Sequence, residues 1–180
     1  MKAVPVTLAF ALAGLSIFAQ GTINVGNGIT STRFPIYGPD YSLNFQSVTG
    51  NSSLSMPAGS AVYGGALLSG TRYKIEFWAG PASASDFSGL TLITTMTFRT
   101  GSNPALLPNG ITQSTVLPVP GVAPDHQAKL AARVWDTFSG AEYFLATERG
   151  QSRLFLSGHL GGVTPSTTIT PPNWGVIKVG

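Results

Sequence analysis

Glycine and proline punctuate this chain at short intervals, and the segments between them alternate apolar with polar residues. Turn-forming sequences stand at Gly38-Pro39-Asp40, Pro57-Ala58-Gly59, Ser69-Gly70, Gly80-Pro81, Pro108-Asn109-Gly110, Pro120-Gly121 and Gly161-Gly162. Glycine and proline break helices and supply the backbone angles of tight turns, so this spacing predicts many short strands. In Arg72–Phe77, Tyr73, Ile75 and Phe77 share one face, and Arg72, Lys74 and Glu76 share the other. A period of two with charges on one side is the pattern of a half-buried strand. Lys129–Val134 repeats it, with Leu130, Ala132 and Val134 inward. Leu92–Phe98 is Thr-rich and is expected to place Leu92, Met96 and Phe98 together. Further strands are expected at Thr22–Val25, Arg33–Tyr37, Ser114–Val119 and Arg153–Leu156, with Trp174–Val179 closing the sheet. An apolar sheet face must be covered. With almost no helix to cover it, the expected fold is all-β, a two-sheet antiparallel β-sandwich of Ig-like or jelly-roll-like type.

One segment departs from this pattern. Ser139-Gly140-Ala141-Glu142 has the Ser-x-x-Glu form of a helix capping box, and Ala141 to Glu148 lacks alternation before Gly150. This predicts one short helix packed on the sandwich. The Gly- and Ser-rich stretch from Gly50 to Gly65 reads as a long loop or ragged edge strand.

The N-terminus carries Lys2, an apolar run from Val6 to Phe18, and Ala19 before Gln20. That is the three-part pattern of a secretory signal peptide. The domain reading is therefore a signal peptide over 1–19 and a single domain over 20–180. The remaining 161 of 180 residues are enough for a packed core without disulfides, in keeping with a cysteine count of 0. The expected destination is secreted, periplasmic or associated with the cell surface, with no membrane span in the mature chain. Only 9% of residues are charged and no Lys/Arg cluster occurs, so nucleic acid is not an expected partner.

Several short motifs occur in a distinctive order: Ala19-Gln20-Gly21-Thr22, Trp78-Ala79-Gly80-Pro81, Phe98-Arg99-Thr100-Gly101, Val119-Pro120-Gly121-Val122-Ala123-Pro124, Arg133-Val134-Trp135-Asp136 and Leu160-Gly161-Gly162. Together they resemble a multi-copy family of small secreted bacterial β-proteins of unassigned activity. The likeness spans nearly the whole mature chain. Some relatives carry a C-terminal Pro-Glu-Pro sorting tail, a motif that this sequence does not contain. The resemblance implies no catalytic residues.

The residues themselves supply little chemistry. Without cysteine there is no thiol nucleophile and no Cys-ligated zinc or Fe–S cluster. His126 falls in a predicted turn and His159 lies beside the Gly161-Gly162 turn; neighbouring residues on an extended chain point apart, so Asp125 is poorly placed to orient His126. No Gly-x-Ser-x-Gly nucleophile elbow, calcium loop or phosphate-binding Gly-rich motif is present. No catalytic residue, metal or cofactor is expected. A glycoside or ester hydrolase would need two carboxylates facing each other, and Asp86, Asp125 and Asp136 stand in turns while Glu76 alternates with Lys74 and Arg72.

Strand alternation places Trp78 with Lys74 and Glu76, and Trp135 with Lys129 and Arg133, on polar sheet faces. A Trp with solvent access beside polar donors stacks on sugars. The competing reading is an Arg133–Trp135 cation–π contact, or cover of one ring by the short helix. The expected function is an exported, non-catalytic structural or adhesive protein of the envelope or extracellular matrix. The alternative is a carbohydrate-binding module using Trp78, Trp135 and Arg133. Cell-surface or extracellular polysaccharide and self-association are the expected partnerships. N-terminal sequencing of the exported protein should read Gln20-Gly21-Thr22-Ile23; an intact Met1 on that protein contradicts the export reading.

Overall fold

The computed structural model describes residues 20–26, 28–29, 32–33, 36–38, 66–100, 112 and 114–162. The signal segment 1–19, the stretch from Gly50 to Gly65, and Trp174 with the strand expected around it lie outside these residues. The strands are β1 (Thr22–Val25), β2 (Gly28–Ile29), β3 (Thr32–Arg33), β4 (Tyr73–Pro81), β5 (Thr91–Thr97), β6 (Thr115–Pro118), β7 (Gln127–Asp136), β8 (Arg149–Gln151) and β9 (Phe155–His159). The larger sheet runs β5-β4-β7-β8, and β9 pairs with β7 beside β8. The smaller sheet pairs β1 with β6, and β2 with β3 forms a separate hairpin. Among the described residues every strand pair is antiparallel. Ile23 and Val25 of β1 share one core with Ile75, Phe77, Leu130 and Val134 of the larger sheet. The fold is thus the expected all-β sandwich.

The strand pattern explains the core. Tyr73, Ile75, Phe77 and Ala79 are buried along β4, as alternation requires. Across the β4–β7 ladder Phe77 faces Ala132 and Ala79 faces Leu130, so a large side chain meets a small one at these two rungs. Gly80 is needed where the β4–β5 connection folds back: a Cβ there would lie 2.6 Å from the Gly89 carbonyl oxygen.

Three local expectations change. First, β5 carries an extra residue, because Phe77 pairs with Thr94 while Trp78 pairs with Leu92. A one-residue slip reverses the faces of a strand. Met96 therefore stands opposite Ile75 and packs on the core with Ile93, whereas Leu92 stands opposite Trp78 on the outer face. Second, Arg33–Tyr37 is not one strand: Ile36 lies outside any strand, and Tyr37 makes an isolated bridge to Leu67. Third, Ala141–Glu148 is a series of turns and bends, and the helical element among the described residues is a 3-10 turn at Phe87–Gly89. The carbonyls of Tyr143 and Phe144, which a helix would use internally, accept from the Arg149 guanidinium at 3.2 and 2.6 Å. Ser139 does not cap a helix. Its Oγ donates to the Asp136 carbonyl and accepts from the Glu148 amide, tying the two ends of the β7–β8 loop together.

Two further devices hold this architecture. The edge against β7 is broken between β8 and β9, and serine hydroxyls replace the missing ladder acceptors. The Ala132 amide donates to Ser152 Oγ at 2.9 Å, and the Ala128 amide to Ser157 Oγ at 2.8 Å. Each keeps a buried amide paired. At the end of β7, buried Asp136 accepts from Arg72 Nε at 3.0 Å and Nη2 at 2.6 Å, and from the Phe138 amide at 2.9 Å.

The hydrogen bond from Arg72 holds the Asp136 carboxyl below its usual pKa. A depressed carboxyl contributes stability above its unfolded value of about 3.9, which is lost as pH falls through the folded value. Asp136→Asn should cost about 1–2 kcal/mol at neutral pH, the value of charged hydrogen bonds reduced because Arg72 is half-exposed. Urea unfolding at pH 7 and pH 3 checks this: the gap between wild type and variant should narrow at the lower pH.

Candidate functional site

Strand β7 is buried on both faces. On its core side lie Ala128, Leu130, Ala132 and Val134; on its outer side Ala131, Arg133 and Trp135 are buried as well. Alternation correctly assigns Arg133 and Trp135 to the face away from the core. That face is covered, however, by the connections at its two ends.

Arg133 lies at the centre of the cover. Its guanidinium carbon lies 3.9 Å from the ring centroid of Phe87, 4.8 Å from Phe144, 4.9 Å from Tyr143 and 5.1 Å from Trp78. The four rings come as two edge-to-face pairs. Trp78 and Phe87 belong to β4 and the β4–β5 connection; Tyr143 and Phe144 belong to the β7–β8 loop. The guanidinium stands over each of the four rings, whose faces carry the negative side of the aromatic quadrupole. The expected Arg133–Trp135 stack is replaced by this four-ring box.

The box has an unusual polar balance. Arg133 is 8% exposed, and among the described residues neither an ion pair nor a hydrogen bond to its side chain occurs; buried Nε has no partner. Glu76 is its cross-strand neighbour, but the Glu76 Oε2 instead accepts from Trp78 Nε1 at 3.0 Å. Burial pulls the Arg133 pKa down, with Tyr143 and Glu76 opposing the shift. Burial also raises the Tyr143 pKa, against the pull of Arg133 and Arg149. A guanidinium has five N–H donors in a planar fork suited to carboxylates. Here the Nε end of that fork is buried, and aromatic rings rather than acceptors stand around the guanidinium.

Trp135 does not present a sugar-stacking surface. It is 3% exposed, and its Nε1 also lacks a partner. Trp78 is half-buried and carries Arg133 over its ring. Of the three residues singled out from sequence, Trp78 and Arg133 therefore meet, while Trp135 sits sealed on the same strand. Phe87, Tyr143 and Phe144 were missed because they lie in loops with no strand period. The signal was compositional: aromatic residues placed in two connections rather than in strands.

The other candidates are placed elsewhere. The two histidine loops do meet, since Gln127 pairs with His159 and the Leu160 amide donates to the His126 carbonyl. Asp125 lies against His159 rather than His126, with Nδ1 to Oδ1 at 3.1 Å, and both side chains are exposed. His126 Nδ1 lies 2.9 Å from the Pro124 carbonyl oxygen. Among the described residues no group of three or more His, Asp or Glu is placed to hold a metal ion. Asp136 and Glu148 both approach Arg72, at 2.6 and 4.0 Å, but Asp136 is enclosed and committed to the loop corner. An apolar crevice between Val25, Phe77, Ile93, Leu130 and Phe155 encloses about 10 Å³, room for about one water molecule.

No protein-family model matches this chain, and no curated protein or solved structure is similar to it. The site's reading therefore rests on its own geometry. Because Trp135 fills interior space, Trp135→Ala should lower stability by about 3–5 kcal/mol, the cost of truncating a buried aromatic. Thermal unfolding followed by circular dichroism measures this; a variant as stable as wild type contradicts the packing role.

Proposed function

We propose that this chain is an exported, non-catalytic structural or adhesive protein of the bacterial envelope or extracellular matrix. One observation carries the reading. The β7–β8 loop holds Phe138 at 83%, Phe144 at 69% and Leu145 at 67% exposure. Large apolar side chains grouped on one ordered loop favour contact with another surface over contact with water. The loop is braced internally by Ser139, Arg149 and Asp136, so its apolar residues are held out rather than folded in. Gly140 tightens it further: a Cβ there would collide with the Ala146 backbone. The order of short motifs along the chain, and the secretory pattern at its start, support the same reading.

A second reading, binding of carbohydrate, is favoured by the half-exposed Trp78 beside Arg133. It no longer draws on Trp135. Hydrolysis finds less support, since the acids that approach each other do so at a buried corner.

Cell fractionation tests the adhesive reading. A substantial share of the wild-type protein should sediment with cells or matrix. Phe138→Ser with Leu145→Ser should shift most of it to the culture fluid without moving the melting temperature by more than about 4 °C, since both residues are exposed. Wild-type protein found wholly in the culture fluid contradicts the reading.

A further inference from the structure

We infer that the Arg133 box is a binding site for a carboxylate, and that its ligand is an acidic polysaccharide built from uronic acid sugars. The inference deepens the proposed adhesive role by naming the chemistry of the surface that is held.

The argument starts from an imbalance. Burying a cation costs free energy unless a counter-charge or hydrogen bonds compensate. Arg133 is more than nine-tenths buried, yet among the described residues no side chain pairs with it. The nearest acid in the ladder, Glu76, is engaged by Trp78. Cation–π contacts orient the guanidinium but satisfy no N–H in its plane, because a ring meets the charge without accepting there; no hydrogen bond from this side chain occurs among the described residues, and buried Nε is unpartnered. The vacant chemistry is that of a planar anion with two oxygens.

The rings specify the rest of the ligand. Phe144 is the most exposed member of the box, and Trp78 is half-exposed. An apolar ring face beside a carboxylate-binding fork matches a pyranose that carries its carboxylate on the ring. The sugar's C–H face lies on the aromatic residue while its carboxylate reaches the guanidinium. A free inorganic anion would satisfy the charge and leave the rings unused. The box is also positioned for a polymer, since Phe144 adjoins Leu145 on the exposed loop.

Titration calorimetry with oligogalacturonate, on the chain recovered after export, tests the inference. Wild type should bind, and Arg133→Gln should bind at least about tenfold more weakly, as expected for loss of a central anchor. Arg153→Gln removes the same charge from an exposed site within the β8–β9 break, outside the box, and should stay within about twofold of wild type. Phe144→Ala, at an exposed ring, should bind several-fold more weakly with a melting temperature within about 4 °C of wild type, and it decides the matter if Arg133→Gln fails to fold. Neutral dextran should not bind. Absence of wild-type binding overturns the inference, as does equal loss in Arg153→Gln, full affinity in Phe144→Ala, or preference for dextran sulfate over oligogalacturonate. A cell-bound protein that ignores oligogalacturonate would overturn this inference alone and leave the adhesive reading standing.

Discussion

The outer face of β7 is closed by four aromatic rings gathered on one guanidinium. A strand in a two-sheet sandwich needs only one buried face, and β4 follows that rule. β7 does not, because the β4–β5 and β7–β8 connections both fold over it and meet at Arg133. The contact joins segments that are distant in sequence and share no ladder. Without a side chain of arginine's length at position 133, the two loops would have only their internal bonds to fix where their aromatic residues lie.

The remaining devices serve that meeting. Arg72 and Asp136 fix the point where β7 ends and the loop begins. Ser139 and Arg149 then replace helical hydrogen bonds with cross-loop ones, which leaves Tyr143 turned toward Arg133 and Phe144 toward both Arg133 and solvent. Ser152 and Ser157 let the partner strand break without orphaning the β7 amides. The result is a rigid corner with a cation below and apolar side chains above. Rigid presentation matters for binding, because ordering costs are met during folding rather than at contact.

Much of the sheet was legible in the sequence because charge marks the faces. Arg72, Lys74 and Glu76 give away the inward set of β4, and Lys129 and Arg133 do the same for β7. The reading failed where a single residue changes parity, as at Ile93, because a bulge leaves no mark in composition. It failed again at Ala141–Glu148, where a capping-box pattern was outcompeted by an arginine that bonds the same carbonyls. Trp135 and Arg133 look like surface residues by pattern alone. Only the tertiary placement of Phe87, Tyr143 and Phe144 makes that face an interior.

The central claim is that the Arg133 charge is kept in the box without a partner inside the fold. Urea unfolding of Arg133→Met tests this most directly, since methionine retains the bulk and removes the charge. An unpaired buried charge replaced by a fitting apolar side chain should leave stability within about 1 kcal/mol of wild type, or raise it. A loss of about 3 kcal/mol or more, the cost of breaking a buried pair, would show that the fold itself compensates the cation and would contradict the account.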